Sequence, residues 1–371
     1  MPAEKDDRYG LPAGGSRERM PAPELAYRPR DPRAYRPKIG VIGVGGITVQ
    51  HLRAYQAAGY AVVALCDRHE GKAREQTARF YPGAQVVTDF RKVLAREDIE
   101  VVDIATHPEE RRGILEEAIA SGKHILSQKP FVTDLDFGLR LADQAEKKGI
   151  RLAVNQNGRW APHWSWIRRA IEGGLLGQVS SARLAVNWDH GWVAGSVFEQ
   201  IEHLILYDFG IHWFDIVCCF LSGRKPLRVS ASEARAPGQT MKPPLLSQAT
   251  IEFADAQASL AFDASTRFGG QDSTFVSGSL GTAFSSGPDL NQQELTLATA
   301  GGLAVPELAG AWFPDGFHGT MGELLRSIEE KREPHHNARN NLKSLELCFA
   351  AIASAESGAP VVPGTVRRLP A

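Results

Sequence analysis

Residues 38–67 read KIGVIGVGGITVQHLRAYQAAGYAVVALCD, and this stretch decides the fold. A short apolar run, 39–42, leads into Gly43, Gly45 and Gly46. A helical pattern through His51, Leu52, Tyr55 and Ala58 follows, then a second apolar run, 61–66, ending in Asp67. Strand, glycine turn, helix and strand in this order set a helix N-terminus against the end of a strand. Gly43 permits the tight turn, and Gly45 lets the backbone approach a pyrophosphate. Thr48 takes the place of a third glycine, setting helix and strand slightly further apart. Asp67 stands where a carboxylate binds both hydroxyls of an adenosine ribose. Glycines alone are a weak pattern; in register with both strands, the helix and the carboxylate they specify a dinucleotide site. Asp67 repels a 2′-phosphate and favours NAD, while Arg68 beside it keeps NADP possible.

The alternation continues downstream. The pattern predicts strands at 86–88, 101–105, 124–127 and 151–154. Helices are predicted at 89–95, from Pro108 to Ser121 with Gly122 at its end, and over 133–148 with Thr133 as N-cap and Gly149 as stop. Alternating β and α units predict a doubly wound parallel sheet whose ligands gather at strand C-terminal ends. Asp67, Thr106, His107, Lys129 and Asn155 all fall at or just beyond such ends.

After Asn157 the rhythm changes. A helix through Trp164, Ile167 and Ile171 precedes a strand at 179–187. Further strands are predicted at 227–234, 247–253, 258–264, 274–279 and 295–299, with a hairpin at Ala254-Asp255-Ala256, and closing helices at 317–331 and 341–355. This is an α+β domain with a mostly antiparallel sheet. The expected division is an N-terminal arm rich in Pro and Arg at 1–36, a dinucleotide-binding domain at 37–157, and a substrate-binding and oligomerisation domain at 158–371. The arm shows no apolar period and is expected to be disordered or laid across a neighbouring surface, with Tyr9, Tyr27 and Tyr35 as anchors to another subunit.

Composition narrows the class. The 371 residues are 43% hydrophobic and 23% charged, as in a soluble globular protein. A net charge of −1 gives no surface for nucleic acid or an anionic membrane. No apolar run is long enough to span a bilayer, and no secretory signal is visible. Cys66, Cys218, Cys219 and Cys348 lack metal-ligand spacing and are expected to be reduced and buried, which fits the cytoplasm.

The chemistry converges on residues 207–215, YDFGIHWFD. A regular helix here puts Asp208, His212 and Asp215 on one face. A histidine held beside a carboxylate serves as a general acid or base; taken alone, such a pair is more often structural. Lys129-Pro130 upstream changes the weighing. Together with residues 43–51, 122–130, 155–162 and 316–318, this combination resembles the Gfo/Idh/MocA family of glucose–fructose oxidoreductase and inositol dehydrogenase. The resemblance covers residues 38 to about 362.

It implies a Rossmann domain followed by a largely antiparallel domain whose sheet often mediates oligomers. It also implies NAD(P)-dependent hydride transfer at a hydroxyl or carbonyl of a sugar, polyol or related ring. Lys129, Asp208 and His212 would form the catalytic group: His212 as base, Lys129 stabilising alkoxide character, Asp208 orienting His212 or binding substrate. Asp215 then drops back to supporting the helix. Gly43, Gly45, Gly46, Ile47, Asp67, Arg68, Thr106, His107, Gln128, Lys129 and Asn157 are the cofactor candidates. Arg159, Trp160 and His203 join the catalytic three as substrate candidates.

Three positions depart from the family pattern: Gln128 for the usual Glu, Arg111 for a common His, and His203 where glycines are frequent. Trp160, His163, Trp164 and Trp166 are read as core packing for at least two members. Trp188, His190 and Trp192 on a loop are candidates for lining a carbohydrate pocket, and His335-His336 as a solvated turn. No metal is expected. The expected partners are a small sugar or polyol and further copies of the chain, as a dimer or tetramer, in the cytoplasm. Two other readings remain: a redox-neutral, NAD-assisted glycoside hydrolase or lyase of the same family, and a non-catalytic dinucleotide sensor.

Overall fold

The computed structural model describes residues 18–369; residues 1–17 of the expected arm, with Tyr9, and residues 370–371 lie outside the described residues. The first half builds β1 (Lys38–Ile42), β2 (Ala61–Cys66), β3 (Gln85–Val87), β4 (Ile99–Ile104), β5 (His124–Ser127) and β6 (Leu152–Val154). They form one sheet in the order β3-β2-β1-β4-β5-β6, with every pair parallel. The connecting helices are α1 (Thr48–Ala57), α2 (Glu70–Phe80), α3 (Phe90–Leu94), α4 (Pro108–Ala120) and α5 (Leu135–Lys148). Strand order reverses between β1 and β4, and there the strand ends open a crevice. α5 is capped by Asp134, whose carboxylate accepts from the Phe137 N–H at 3.0 Å, and not by Thr133. Gly149 stops it at φ 68°.

The second half holds α6 (Pro162–Glu172), β7 (Val179–Asn187), α7 (Ile211–Phe220), β8 (Pro226–Ala234), β9 (Leu246–Phe253), β10 (Gln257–Asp263), β11 (Gln271–Gly278), β12 (Gly281–Gly287), β13 (Glu294–Thr299) and β14 (Gly302–Ala304). It closes with α8 (Trp312–Glu329) and α9 (Ala338–Ser357). The sheet runs β14-β13-β12-β11-β7-β10-β9-β8 and is antiparallel except where β10 meets β7. Alternation decides its faces: Ala182, Leu184 and Val186 of β7 turn inward, while Arg183 and Ala185 turn out. β12 escaped prediction because its Gly, Ser and Thr content carries little apolar signal, and β14 because it is only three residues long. Pairing with β11 and β13 makes β12 a strand.

Two connections tie the halves together. Phe317, Met321, Leu324 and Leu325 of α8 return to pack against Ile39, Val41, Leu52 and Tyr55 of the first half. The described part of the arm lies on its own chain. Met20 donates its N–H to the Leu303 carbonyl at 2.9 Å, extending the sheet past β14. Asp31 accepts from Tyr60 and from His318. The N–H groups of Arg33, Ala34 and Tyr35 all donate to the Glu329 carboxylate. All four cysteines are free; Cys66 and Cys348 are buried, but Cys218 and Cys219 only partly so. Among the described residues no helix is long and apolar enough to cross a membrane.

Candidate active site

The glycine loop meets the end of β4. Gly43 has φ +90°, and a Cβ there would lie 2.8–2.9 Å from Thr106 and Ala105, so only glycine fits. Above Gly45 and Gly46 nothing lies within 4 Å of an added Cβ, leaving the backbone open to a ligand. α1 begins at this loop without a side-chain cap; the Thr48 and Gln50 N–H groups donate to the Gly45 and Ile47 carbonyls at 3.1 and 2.9 Å. The Asp67 carboxylate accepts from the Val44 and His69 N–H groups at 2.9 and 2.8 Å, which fixes it at the tip of β2 with lone pairs to spare for ribose hydroxyls. Arg68 pairs with Glu110 at 2.9 Å and is exposed. The Thr106 hydroxyl is buried beside Gly43 without a partner. An open glycine cradle, uncapped helix, anchored carboxylate and orphaned hydroxyl fit a dinucleotide. Asn157 does not share this surface: it is 2% exposed, and its side-chain oxygen accepts from Trp312 Nε1 at 2.6 Å.

Lys129 follows β5 directly. Its N–H donates to the Gln128 side-chain oxygen at 2.9 Å. Arg111, 1% exposed, donates to the carbonyls of Gln128, Pro130 and Thr106, clamping the backbone on both sides of Lys129. Among the described residues no carboxylate forms an ion pair with it, and burial pushes its guanidinium down to about 10. Sequence reading flagged Arg111 as unusual but assigned it no role, since nothing in spacing reveals a guanidinium aimed at backbone. Beneath lies a buried network: His51 Nδ1 and Tyr55 OH both meet Asp103 Oδ2, at 2.6 and 2.7 Å.

Lys129 Nζ reaches across to the second half, 3.2 Å from Asp208 Oδ2 and 2.8 Å from the Asp208 carbonyl. The expected regular helix around Asp208 is instead a π-helical turn, Ile205–Phe209, followed by α7. The Gly210 N–H closes it on the Ile205 carbonyl at 2.7 Å. A Cβ on Gly210 would stand 2.7–2.8 Å from the Leu206 and Ile205 carbonyl oxygens, so the turn needs glycine there. His212, 6% exposed, stands in the first turn of α7, edge-on to Trp312 at 5.2 Å. Its Nδ1 is buried without a partner. Burial and then the Lys129 charge hold its pKa well below the ordinary histidine value, so the ring is neutral at physiological pH and able to accept a proton.

Asp215 does not join that face. It is 1% exposed and locked to Arg159 by two 2.6 Å contacts, with Ser344 Oγ at 2.8 Å. The same geometry corrects the assignment of Arg159 to substrate, because its guanidinium is spent on Asp215, Asn340 and the His335 carbonyl. Trp160, 6% exposed, packs against His336 and under Gly319, where an added Cβ would overlap the indole. His203 is bound between Glu233 and Glu356, at 2.5 and 3.2 Å, which raises its pKa and occupies both ring nitrogens. His336 is fully buried, so only His335 of that pair is solvated. Trp312 is the neighbour of His212 that the sequence did not reveal; it lies a hundred residues away, and nothing in the spacing joins the two.

Comparison with known proteins agrees with this fold. A family described as "Oxidoreductase family, NAD-binding Rossmann fold" matches residues 37–156. A second, the "GFO/IDH/MocA C-terminal domain", matches residues 164–284. A D-apiose dehydrogenase from Paraburkholderia graminis is 28% identical over 339 residues, 87% of this chain and 89% of its own. An Agrobacterium radiobacter oxidoreductase, solved with NAD+, L-tartaric acid and magnesium, superposes with a TM-score of 0.79 at 22% identity, covering 89% of this chain and 99% of that one. A levoglucosan dehydrogenase bound to NADH and levoglucosan gives 0.77 at 20% identity, over 89% and 100% of the two chains. These two structures share the fold.

Proposed function

The chain belongs to the Gfo/Idh/MocA family of NAD-binding oxidoreductases, and we propose that it oxidises or reduces a CH–OH carbon of a sugar, polyol or related ring. The observation that carries this reading is the Lys129–Asp208 pair at 3.2 Å with neutral His212 one turn away. NAD supplies the hydride acceptor; Gly43, Gly45, Gly46, Ile47, Asp67, Thr106, His107 and Gln128 would hold it, with Arg68 within reach of an NADP phosphate. His212 takes the hydroxyl proton. Lys129 stabilises the oxygen as negative charge builds on it, at no reorganisation cost because Arg111 and Gln128 already fix its backbone. Asp208 holds the Lys129 ammonium in place and accepts a neighbouring substrate hydroxyl. Trp312 excludes water from one side of His212.

Replacing Lys129 by Met or His212 by Asn should cost about 10²–10⁴-fold in kcat. NADH binding, followed by fluorescence titration, should change little. The readout is reduced-nicotinamide absorbance across a panel of sugars and polyols with NAD and NADP. Near-normal turnover in both variants would sink the assignment.

A homo-oligomer, dimer or tetramer, goes with the uncovered outer face of the second sheet. Phe275 and Phe284, each 39% exposed, stack there at 6.2 Å. A monomer in sedimentation at micromolar concentration would overturn it. A cytoplasmic location fits four free cysteines.

A further inference from the structure

The rim beside Asp208 carries an aromatic surface that hydride chemistry does not use. Residues 188–201 leave the end of β7 and pass through two short 3-10 turns, Gly191–Val193 and Val197–Gln200. Asp189 anchors the start, bridging to Ser265 and accepting from the Gly191 N–H at 2.7 Å. Phe198 then reaches the first half, its ring 6.1 Å from His107 just beyond β4. Phe209, the neighbour of Asp208, is the hub. His190 meets it edge-on at 3.9 Å, and Trp188 and Trp192 approach at 6.1 Å each.

Trp192 is therefore held firmly and yet open. Phe198 and Phe209 contact it edge-to-face, at interplanar angles of 71° and 81°, and 59% of the residue remains exposed. Val197 beside it is 64% exposed. A large apolar side chain fixed by aromatic neighbours at the rim of a cleft is a surface waiting for an apolar face. Its electrostatics limit the choice. The loop 188–201 contains no lysine or arginine. Its acidic groups are held by loop N–H groups, Asp189 by Gly191 and Glu199 by Gly195 at 2.9 Å. Lys242 touches the loop at its far end, its ammonium donating to the Gln200 side-chain oxygen at 3.3 Å, whereas at Trp192 a neutral ring finds an indole.

We propose that Trp192 is the platform of an outer subsite that stacks a second, uncharged ring of the substrate, the adjoining sugar of a disaccharide or an aryl aglycone. The C–H face of a pyranose carries slight positive charge and meets the negative face of the indole, burying apolar area while the equatorial hydroxyls stay in water. The ring being oxidised meanwhile sits on Lys129, Asp208 and His212. This rests on the proposed reaction and names the substrate class as glycosides.

Two measurements keep the two ideas separable. The first compares kcat/KM for each monosaccharide the enzyme oxidises with that for its phenyl glycoside and for a disaccharide carrying it. The wild type should prefer the larger substrates. Trp192→Ala should lower the ratio of larger to smaller substrate about tenfold, mainly through KM, and Trp192→Phe should recover most of it. An unchanged ratio, or equal losses on both substrates, would overturn the subsite. The second is calorimetric titration of the NADH-bound protein with phenyl glycosides, which requires no turnover. Binding that vanishes in Trp192→Ala supports the subsite even if the wild type oxidises nothing on the panel. No binding to the wild type overturns it.

Discussion

Two aspartates seven residues apart, Asp208 and Asp215, each hold a cation from the first two hundred residues, and they do opposite things. Lys129–Asp208 is a single 3.2 Å contact between side chains each 13% exposed, with a neutral histidine one turn on. Arg159–Asp215 is bidentate, 3% and 1% exposed, and sealed by Ser344 and Asn340. The first pair keeps some contact with solvent; the second is buried and bonded on both sides. What separates the proposed reactive pair from the structural one is how deeply each is buried and bonded, and not residue type or spacing.

That contrast can be broken by one matched pair of variants. Asp208→Asn should lower kcat about 10²-fold or more while changing unfolding free energy by about 1 kcal/mol, since its partner is not sealed from water. Asp215→Asn should do the reverse. It leaves the Arg159 guanidinium buried and unpaired, at a cost of about 3–5 kcal/mol, with kcat of the folded fraction close to normal. Urea unfolding and initial rates on both variants decide it. If Asp215→Asn lost activity without losing stability, the division of labour drawn here would be wrong.

The same comparison explains what could be read in advance. The six-stranded sheet was legible because strand, turn and cap chemistry are local, and Gly43, Asp67 and Gly149 carry them in single residues. Lys129 and Asp208 were expected together from their order along the chain, and the structure pairs them at 3.2 Å, with His212 one turn on. Arg159 and Trp160 were misplaced because a cation and an aromatic after a strand end look alike whether they face a cleft or a core. Their partners, Asp215, Ser344 and Gly319, are remote in sequence. The π turn was invisible for a similar reason. Asp208 and His212 keep helical spacing, and only the closeness of Gly210 to two carbonyl oxygens distinguishes the geometry.

A smaller effect sharpens the sealed side of the comparison. His336 packs edge-on against Trp160, and burial depresses its pKa to about 3, with the Arg159 charge adding to the depression. In the unfolded chain it titrates near 6.5. The folded form thus resists protonation, so its contribution is complete above about pH 6.5 and is lost as pH falls toward 3. At about pH 5 the loss from this one residue is about 2 kcal/mol. His336→Phe should flatten the fall in urea-unfolding free energy between about pH 7 and pH 5 by that amount. A slope identical to wild type would show that His336 is already protonated in the folded state.

The return of α8 to the first sheet has a consequence for how the protein is made. Domains commonly fold as units in the order they leave the ribosome. Here the nucleotide-binding half is translated first, yet Phe317, Met321, Leu324 and Leu325, which cover Ile39, Val41 and Leu52, are translated after the whole eight-stranded sheet. The face of the earliest sheet that α1 and α2 line therefore lacks its α8 share through most of synthesis. The half encoded first is the half completed last, and the nascent chain reaches its final core only when its C-terminal helices arrive.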